Sequence, residues 1–132
     1  MSISNIVFGR LLDRISDNDI SVLNDPDITE INVDYGCTAL HKAASAAMDG
    51  VISHPMVSKA KDKYNETPLH ILARYRIEGV LEHPDVAKVH NVAGNTPLHH
   101  AVSYQMKGAL QHPEANTVKN GMGQTPADLE NL

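Results

Sequence analysis

The chain has no tryptophan, a single phenylalanine (Phe8) and a single cysteine (Cys37) in 132 residues. One cysteine excludes an intrachain disulfide and suits a reducing, cytoplasmic setting, whether in the source cell or in a host cell. Few aromatics mean that the core must be aliphatic, and a hydrophobic content of 42% is enough to build one. No run of Lys or Arg occurs and the net charge is −5, so the phosphate-neutralising footprint of a nucleic-acid binder is missing. No apolar stretch approaches membrane-spanning length, and the segment 1–10 lacks a basic start followed by a long apolar run. A soluble, unexported protein with neither a membrane nor a nucleic-acid partner is expected. The sequence also lacks a glycine-rich phosphate loop, a pair of carboxylates on a shared face and a Cys/His cluster at metal-ligand spacing. Neither an enzyme nor a metal or cofactor carrier is expected.

What the chain does have is a ruler. Thr38, Thr67, Thr96 and Thr125 follow one another at 29 residues (67 − 38 = 29), and Pro26, Pro55, Pro84 and Pro113 keep the same step. Units of about 2–37, 38–66, 67–95, 96–124 and 125–132 follow, the first an N-terminal cap and the last truncated, within one domain spanning 1–132. In the first unit Ile3, Val7, Phe8, Leu11, Leu12 and Ile15 recur at helical spacing. Ser16-Asp17-Asn18-Asp19 then offers N-cap oxygens to a second short helix carrying Ile20 and Leu23.

In the fuller units Thr stands at the N-cap, with Pro68 and Pro97 in the first turn, where a missing N–H costs nothing. The inward stripes are Leu40, Ala43 and Ala44; Leu69, Leu72 and Ala73; and Leu98, Ala101 and Val102. A shorter second helix is expected on Met48, Val51 and Ile52, on Ile77, Val80 and Leu81, and on Met106, Ala109 and Leu110. Gly50, Gly79 and Gly108 lie inside these helices, where glycine is unfavourable and so marks close helix–helix contact. His54-Pro55, His83-Pro84 and His112-Pro113 end them. Polar turns rich in Asn and Gly lead to the next threonine.

The stretch Thr96-Pro97-Leu98-His99-His100-Ala101 matches the T-P-L-H-x-A signature, and Thr38-Ala39-Leu40-His41-Lys42-Ala43 and Thr67-Pro68-Leu69-His70-Ile71-Leu72 match it with one change each. On these motifs residues 20–132 resemble the ankyrin repeat family, although the family period is about 33 residues. The resemblance implies an all-α, helix–turn–helix solenoid with hairpin-like turns, shortened around each second helix. It also implies a protein-binding scaffold, adaptor or steric inhibitor that works through hairpin tips and the surface of the first helices. Carried over position by position, the contact residues are Tyr35, Cys37, Tyr64, Glu66, Ala93, Asn95, Met122 and Gln124 at the tips. On the helices they are Ser45, Ala46, Arg74, Tyr75, Ser103 and Tyr104. All four tyrosines fall in this set as anchors, with Glu66 and Arg74 as polar selectors. Tyrosine combines large contact area with little entropy to lose; at repeat spacing it serves either recognition or support of the stack.

Two ladders of histidine, His41/His70/His99 and His54/His83/His112, invite a metal reading, but packed helices lie about 8–10 Å apart and zinc holds imidazole nitrogens at about 2 Å. The family resemblance makes the first ladder a hydrogen-bonding tie between turns, while helix C-termini favour an imidazole in the second. Cys37 and His41 are four apart without a third orienting group, so no nucleophilic chemistry is expected of them. The alternative function is self-assembly: the incompletely capped C-terminal face around Met106, Ala109 and Leu110 would form a homodimer unless Leu129 and Leu132 cover it.

Overall fold

A computed structural model of the chain describes residues 2–130. These are mostly helical. Four α-helices, α1 (Asn5–Ser16), α2 (Ala39–Ser45), α3 (Pro68–Arg74) and α4 (Pro97–Ser103), are joined by 3-10 turns and one small antiparallel ribbon. In the ribbon β1 (Ile31–Asn32) pairs with β2 (Cys37–Thr38), Ile31 opposite Thr38 and Asn32 opposite Cys37. α2 packs on α3, α3 on α4, and α4 on the 3-10 turn Pro126–Leu129, while α1 closes the other side of α2.

The threonine ruler sets where α2, α3 and α4 begin. Thr38, Thr67 and Thr96 are N-caps in extended conformation, each accepting a hydrogen bond from the backbone N–H three residues on, at His41, His70 and His99. The same device opens the last turn, where Thr125 and Asp128 cap each other. The helices stop by a second repeated device. Asn18, Ala47, Arg76 and Gln105, again 29 apart, take left-handed φ values of 57°, 53°, 57° and 62°. The N–H after each reaches back to the helix: Asp19 to Arg14 O (2.9 Å), Met48 to Ala43 O (3.1 Å), Ile77 to Leu72 O (3.1 Å) and Met106 to Ala101 O (2.8 Å). These are Schellman caps, and three of the four place a residue other than glycine or asparagine in the left-handed position.

The expected second helices are single turns. Val51–Ser53 and Ala109–Gln111 are three-residue 3-10 turns, and the equivalent residues of the middle unit form turns without regular helix. The cause is local. Gly50, Gly79 and Gly108 adopt φ of 94°, 98° and 89°, which ends right-handed winding just before each turn, and His54 and His112 are already extended ahead of their prolines. The glycines therefore serve first as left-handed hinges. Their closeness to a neighbour is also real: a Cβ on Gly50 would meet Leu23 Cδ1 at 3.1 Å and one on Gly79 would meet Ile52 Cγ1 at 3.3 Å.

The inward stripes are buried as expected, from Leu40, Ala43 and Ala44 through Leu98, Ala101 and Val102, and they join Phe8, Leu11 and Ile15 in one core. Burying each of the larger aliphatic side chains stabilises by roughly 1.5–3 kcal/mol. The first unit departs from expectation: its short 3-10 segment Ile20–Asn24 buries Val22 and leaves Ile20 57% exposed. Val22 is the register partner of Val51, Val80 and Ala109, all buried. Leu129 is buried, whereas Leu132, expected to share its covering role, lies outside the described residues.

Candidate functional site

Each threonine–histidine pair does more than start a helix. The Thr N–H donates to His Nδ1 at 3.3 Å (Thr38–His41), 3.1 Å (Thr67–His70) and 3.1 Å (Thr96–His99). Nδ1 is an acceptor there, so the ring proton sits on Nε2, which donates to a carbonyl 25 residues on: Glu66 O (2.7 Å), Asn95 O (2.8 Å) and Gln124 O (2.9 Å). One neutral imidazole thus closes its own helix cap and holds the base of the next hairpin. Burial lowers the pKa of all three, against a smaller opposing pull from the carbonyl each one bonds, and takes His70 to about 4.

The second histidine ladder acts differently from expectation. With no α-helix before it, the imidazole caps a turn instead of a dipole: His54, His83 and His112 accept at Nδ1 from the N–H of Met56, Asp85 and Glu114, at 3.0, 3.0 and 3.1 Å.

The hairpins are held by one side chain apiece. Asp62 Oδ1 accepts from the N–H of Tyr64 (2.8 Å) and Glu66 (2.9 Å), and Asn91 and Asn120 do the same for Ala93 and Asn95 and for Met122 and Gln124. Successive tips are then tied by backbone bonds, Lys63 N–H to Gly36 O, Val92 N–H to Tyr64 O and Gly121 N–H to Ala93 O, each 2.9 Å.

On this frame the tyrosines are exposed: Tyr35 by 53%, Tyr64 by 55%, Tyr75 by 52% and Tyr104 by 46%. Tyr35 and Tyr64 line one slot of about 190 Å³ together with Cys37, Lys42 and Lys63. Tyr75 and Tyr104 are the C-cap residues of α3 and α4, and Arg76 Nη1 donates to Tyr104 O (3.2 Å), linking the two helix ends. Tyr35 also has a supporting contact, its ring stacked on the fully buried Phe8 at 5.0 Å between centroids.

The polar members of the expected set are engaged within the chain. Arg74 Nη1 donates to both Glu66 oxygens (2.7 and 2.9 Å), Asn91 Nδ2 donates to Glu66 Oε2 (3.1 Å), and His100 Nε2 lies 2.9 Å from the same oxygen. Burial pushes the Glu66 carboxyl up, but the bonds from His100, Arg74 and Asn91 outweigh it and hold the group well below the usual carboxylate range. This network ties the tip carrying Tyr64 to the helix end carrying Tyr75. Asn95 Oδ1 accepts from Asn120 Nδ2 (2.8 Å), repeating the pattern one unit on. Cys37 is half-buried, and burial pushes its thiol up, away from the nucleophilic thiolate. Ser45, Ala46, Ala93, Ser103 and Met122 are exposed, while Gln124 is partly covered.

Sequence reasoning passed over Val33 and Val92, both exposed at the tips, and Lys42 and Lys63. The signal for the lysines was available: Lys42 stands in register with Ile71 and His100, and Lys63 with Val92 and Gly121, so neither cation repeats.

No helix among the described residues is long and apolar enough to cross a membrane. A scan against protein-family models finds no match, and a search of curated proteins finds no relative.

Proposed function

We propose that this chain is a short ankyrin-like array of about four units that binds another protein through its hairpin tips and the adjoining ends of α2, α3 and α4. The observation that carries the reading is where the large apolar side chains are left in solvent. Val33, Tyr35, Tyr64, Val92 and Met122 belong to the tips and Tyr75 and Tyr104 to the helix ends, with Ile6 and Ile20 of the first unit completing the exposed set among the described residues. Apolar and aromatic exposure gathered on a rigid frame is the composition of an interface centre. The Thr–His ties and the 29-residue step support the resemblance, and the single-turn second elements account for the shortened period. Binding of this kind acts sterically, by blocking or bridging the target.

The test is a pull-down from lysate of the native cell or host, run beside Tyr64→Ala/Tyr75→Ala. A protein lost only with the variant is the partner, since removal of half-exposed rings leaves the core intact. Equal recovery by a folded variant rejects the reading.

A second reading rests on a groove of about 380 Å³ lined by Val102, Met106, Ala109 and Leu110 with Glu130 at its edge. Self-association through this face gives a homodimer, and light scattering at micromolar concentration decides it: a monomer removes the reading.

A further inference from the structure

The slot between the first two tips differs in charge from the rest of this acidic chain. Its walls are the rings of Tyr35 and Tyr64, and its cations are Lys42, whose Nζ lies 5.8 Å from the Tyr35 ring centroid, and Lys63, 5.3 Å from that of Tyr64. Neither ammonium has a carboxylate partner among the described residues. Asp62 also lines the slot, its Oδ1 held by two backbone N–H groups of its own turn, so two ammoniums face one carboxylate and the slot keeps a net positive charge. His41 is neutral because both of its ring nitrogens are committed, and the Cys37 thiol is held protonated by burial.

One wall and the stem of one cation are seated on the frame. Tyr35 rests on Phe8. The stem of Lys63 crosses the backbone of Gly36, where even a Cβ would come within 2.7 Å of Lys63 Cδ, so glycine there is what lets the lysine lie across the preceding tip. One step along the array the equivalents of Lys42 and Lys63 are Ile71 and Val92, and Val92 is exposed. A cationic, aromatic-walled slot is thus followed by an apolar position.

Resting on the protein-binding reading above, we infer that the partner presents an acidic peptide segment to this surface, an Asp or Glu carboxylate seated between Tyr35 and Tyr64 and an apolar neighbour against Val92. A carboxylate there meets two unpaired ammoniums beside half-shielded rings, where charge pairing is stronger than on open surface. A single-stranded nucleic acid could use stacked rings and lysines too, but the net charge of −5 opposes a polyanion over any length beyond the slot.

The test is selection of a random-peptide display library on the intact chain, with the pool then measured on three variants confirmed folded by circular dichroism. The expected pool is rich in Asp or Glu next to an apolar residue. It should bind Lys42→Glu/Lys63→Glu at least about tenfold more weakly and Lys42→Arg/Lys63→Arg nearly as well as the parent. A neutral or basic pool, no selectable peptide, or equal binding after charge reversal overturns the inference, as does binding of a short oligothymidylate with the same lysine dependence. The underlying reading is separated by the third variant. A pool indifferent to charge reversal but lost with Tyr64→Ala/Tyr75→Ala leaves protein binding standing and removes only the acidic specificity, whereas indifference to both removes both.

Discussion

Acid should loosen this protein in a window set by its Thr–His ties. In the fold His70 accepts the Thr67 N–H at Nδ1 and donates from Nε2 to Asn95 O, so a second ring proton has no place without breaking the cap. Burial accordingly brings its pKa to about 4 from an ordinary 6.5. A base whose pKa is lowered on folding stabilises the native state above the unfolded value, and that stability fades as pH falls from about 6.5 towards 4. At about 1.36 kcal/mol per unit, His70 alone accounts for roughly 3 kcal/mol across the whole window and about 2 kcal/mol by pH 5. His41 and His99 are shifted the same way by the same cause and add to the loss. Glu66, a depressed carboxylate, stabilises at higher pH and yields only below about 4.5, so it does not contribute above pH 5. Urea unfolding followed by circular dichroism at steps from pH 7.5 to 5 measures the slope. His70→Gln supplies the control, because glutamine can complete a capping box with Thr67 but does not titrate. It should be less stable at pH 7.5 by about 1–3 kcal/mol for the lost tie to Asn95, yet lose about 2 kcal/mol less on acidification. Parallel pH curves for the two proteins, or a parent whose stability changes by under about 0.5 kcal/mol over that range, would refute the assigned tautomer and its burial.

Three further outcomes are expected. Ala47→Gly and Gln105→Gly each relieve a left-handed residue at a helix end and should raise stability by about 1 kcal/mol in urea unfolding; a decrease would mean the native side chain makes a compensating contact. Gly94→Ala should cost about 2–4 kcal/mol, since φ is 80° and the added carbon would lie 2.4 Å from Gly121 N, while Gly123→Ala, with φ of 77° and open space, should cost only about 1 kcal/mol. Equal losses would deny the close approach of the last two tips. A double-mutant cycle on Glu66→Gln and Arg74→Met should show a coupling of about 1–2 kcal/mol, above that of an exposed pair, because both side chains are partly buried and Arg74 reaches both carboxylate oxygens; a coupling near zero would return both residues to the free surface.

Much of the frame is legible in the sequence. Thr38, Thr67 and Thr96 marked three helix starts, and the aliphatic stripes after them are the core, because capping and side-chain spacing act within one or two turns. The failures lie where several local signals compete. Val51 and Ile52 or Ala109 and Leu110 carry helical spacing, but a left-handed glycine before them and an extended histidine after them leave room for a single turn. The short segment after α1 is expected to carry Ile20 and Leu23, but its packing against its neighbours buries Val22, partly covers Leu23 and leaves Ile20 exposed. The fourteen residues expected at the candidate surface divide in the same way. The four tyrosines are exposed, while Glu66, Arg74 and Asn95 bond to partners that no short-range rule connects to them.

The sequence by itself determined the 29-residue step, the helix starts, the aliphatic core and the presence of four tyrosines at repeat-related positions, since each follows from side-chain chemistry acting over a few residues or from periodicity alone. Only the tertiary structure decided that His70 joins Thr67 to Asn95, that Tyr35 rests on Phe8, that Glu66 collects Arg74, Asn91 and His100, and that Lys42 and Lys63 flank one slot. Most of these contacts span roughly one repeat, and Phe8–Tyr35 crosses from helix to hairpin tip. Such distances close only when successive helices and turns pack in one particular offset, and the same packing leaves one tip charged and its neighbour apolar.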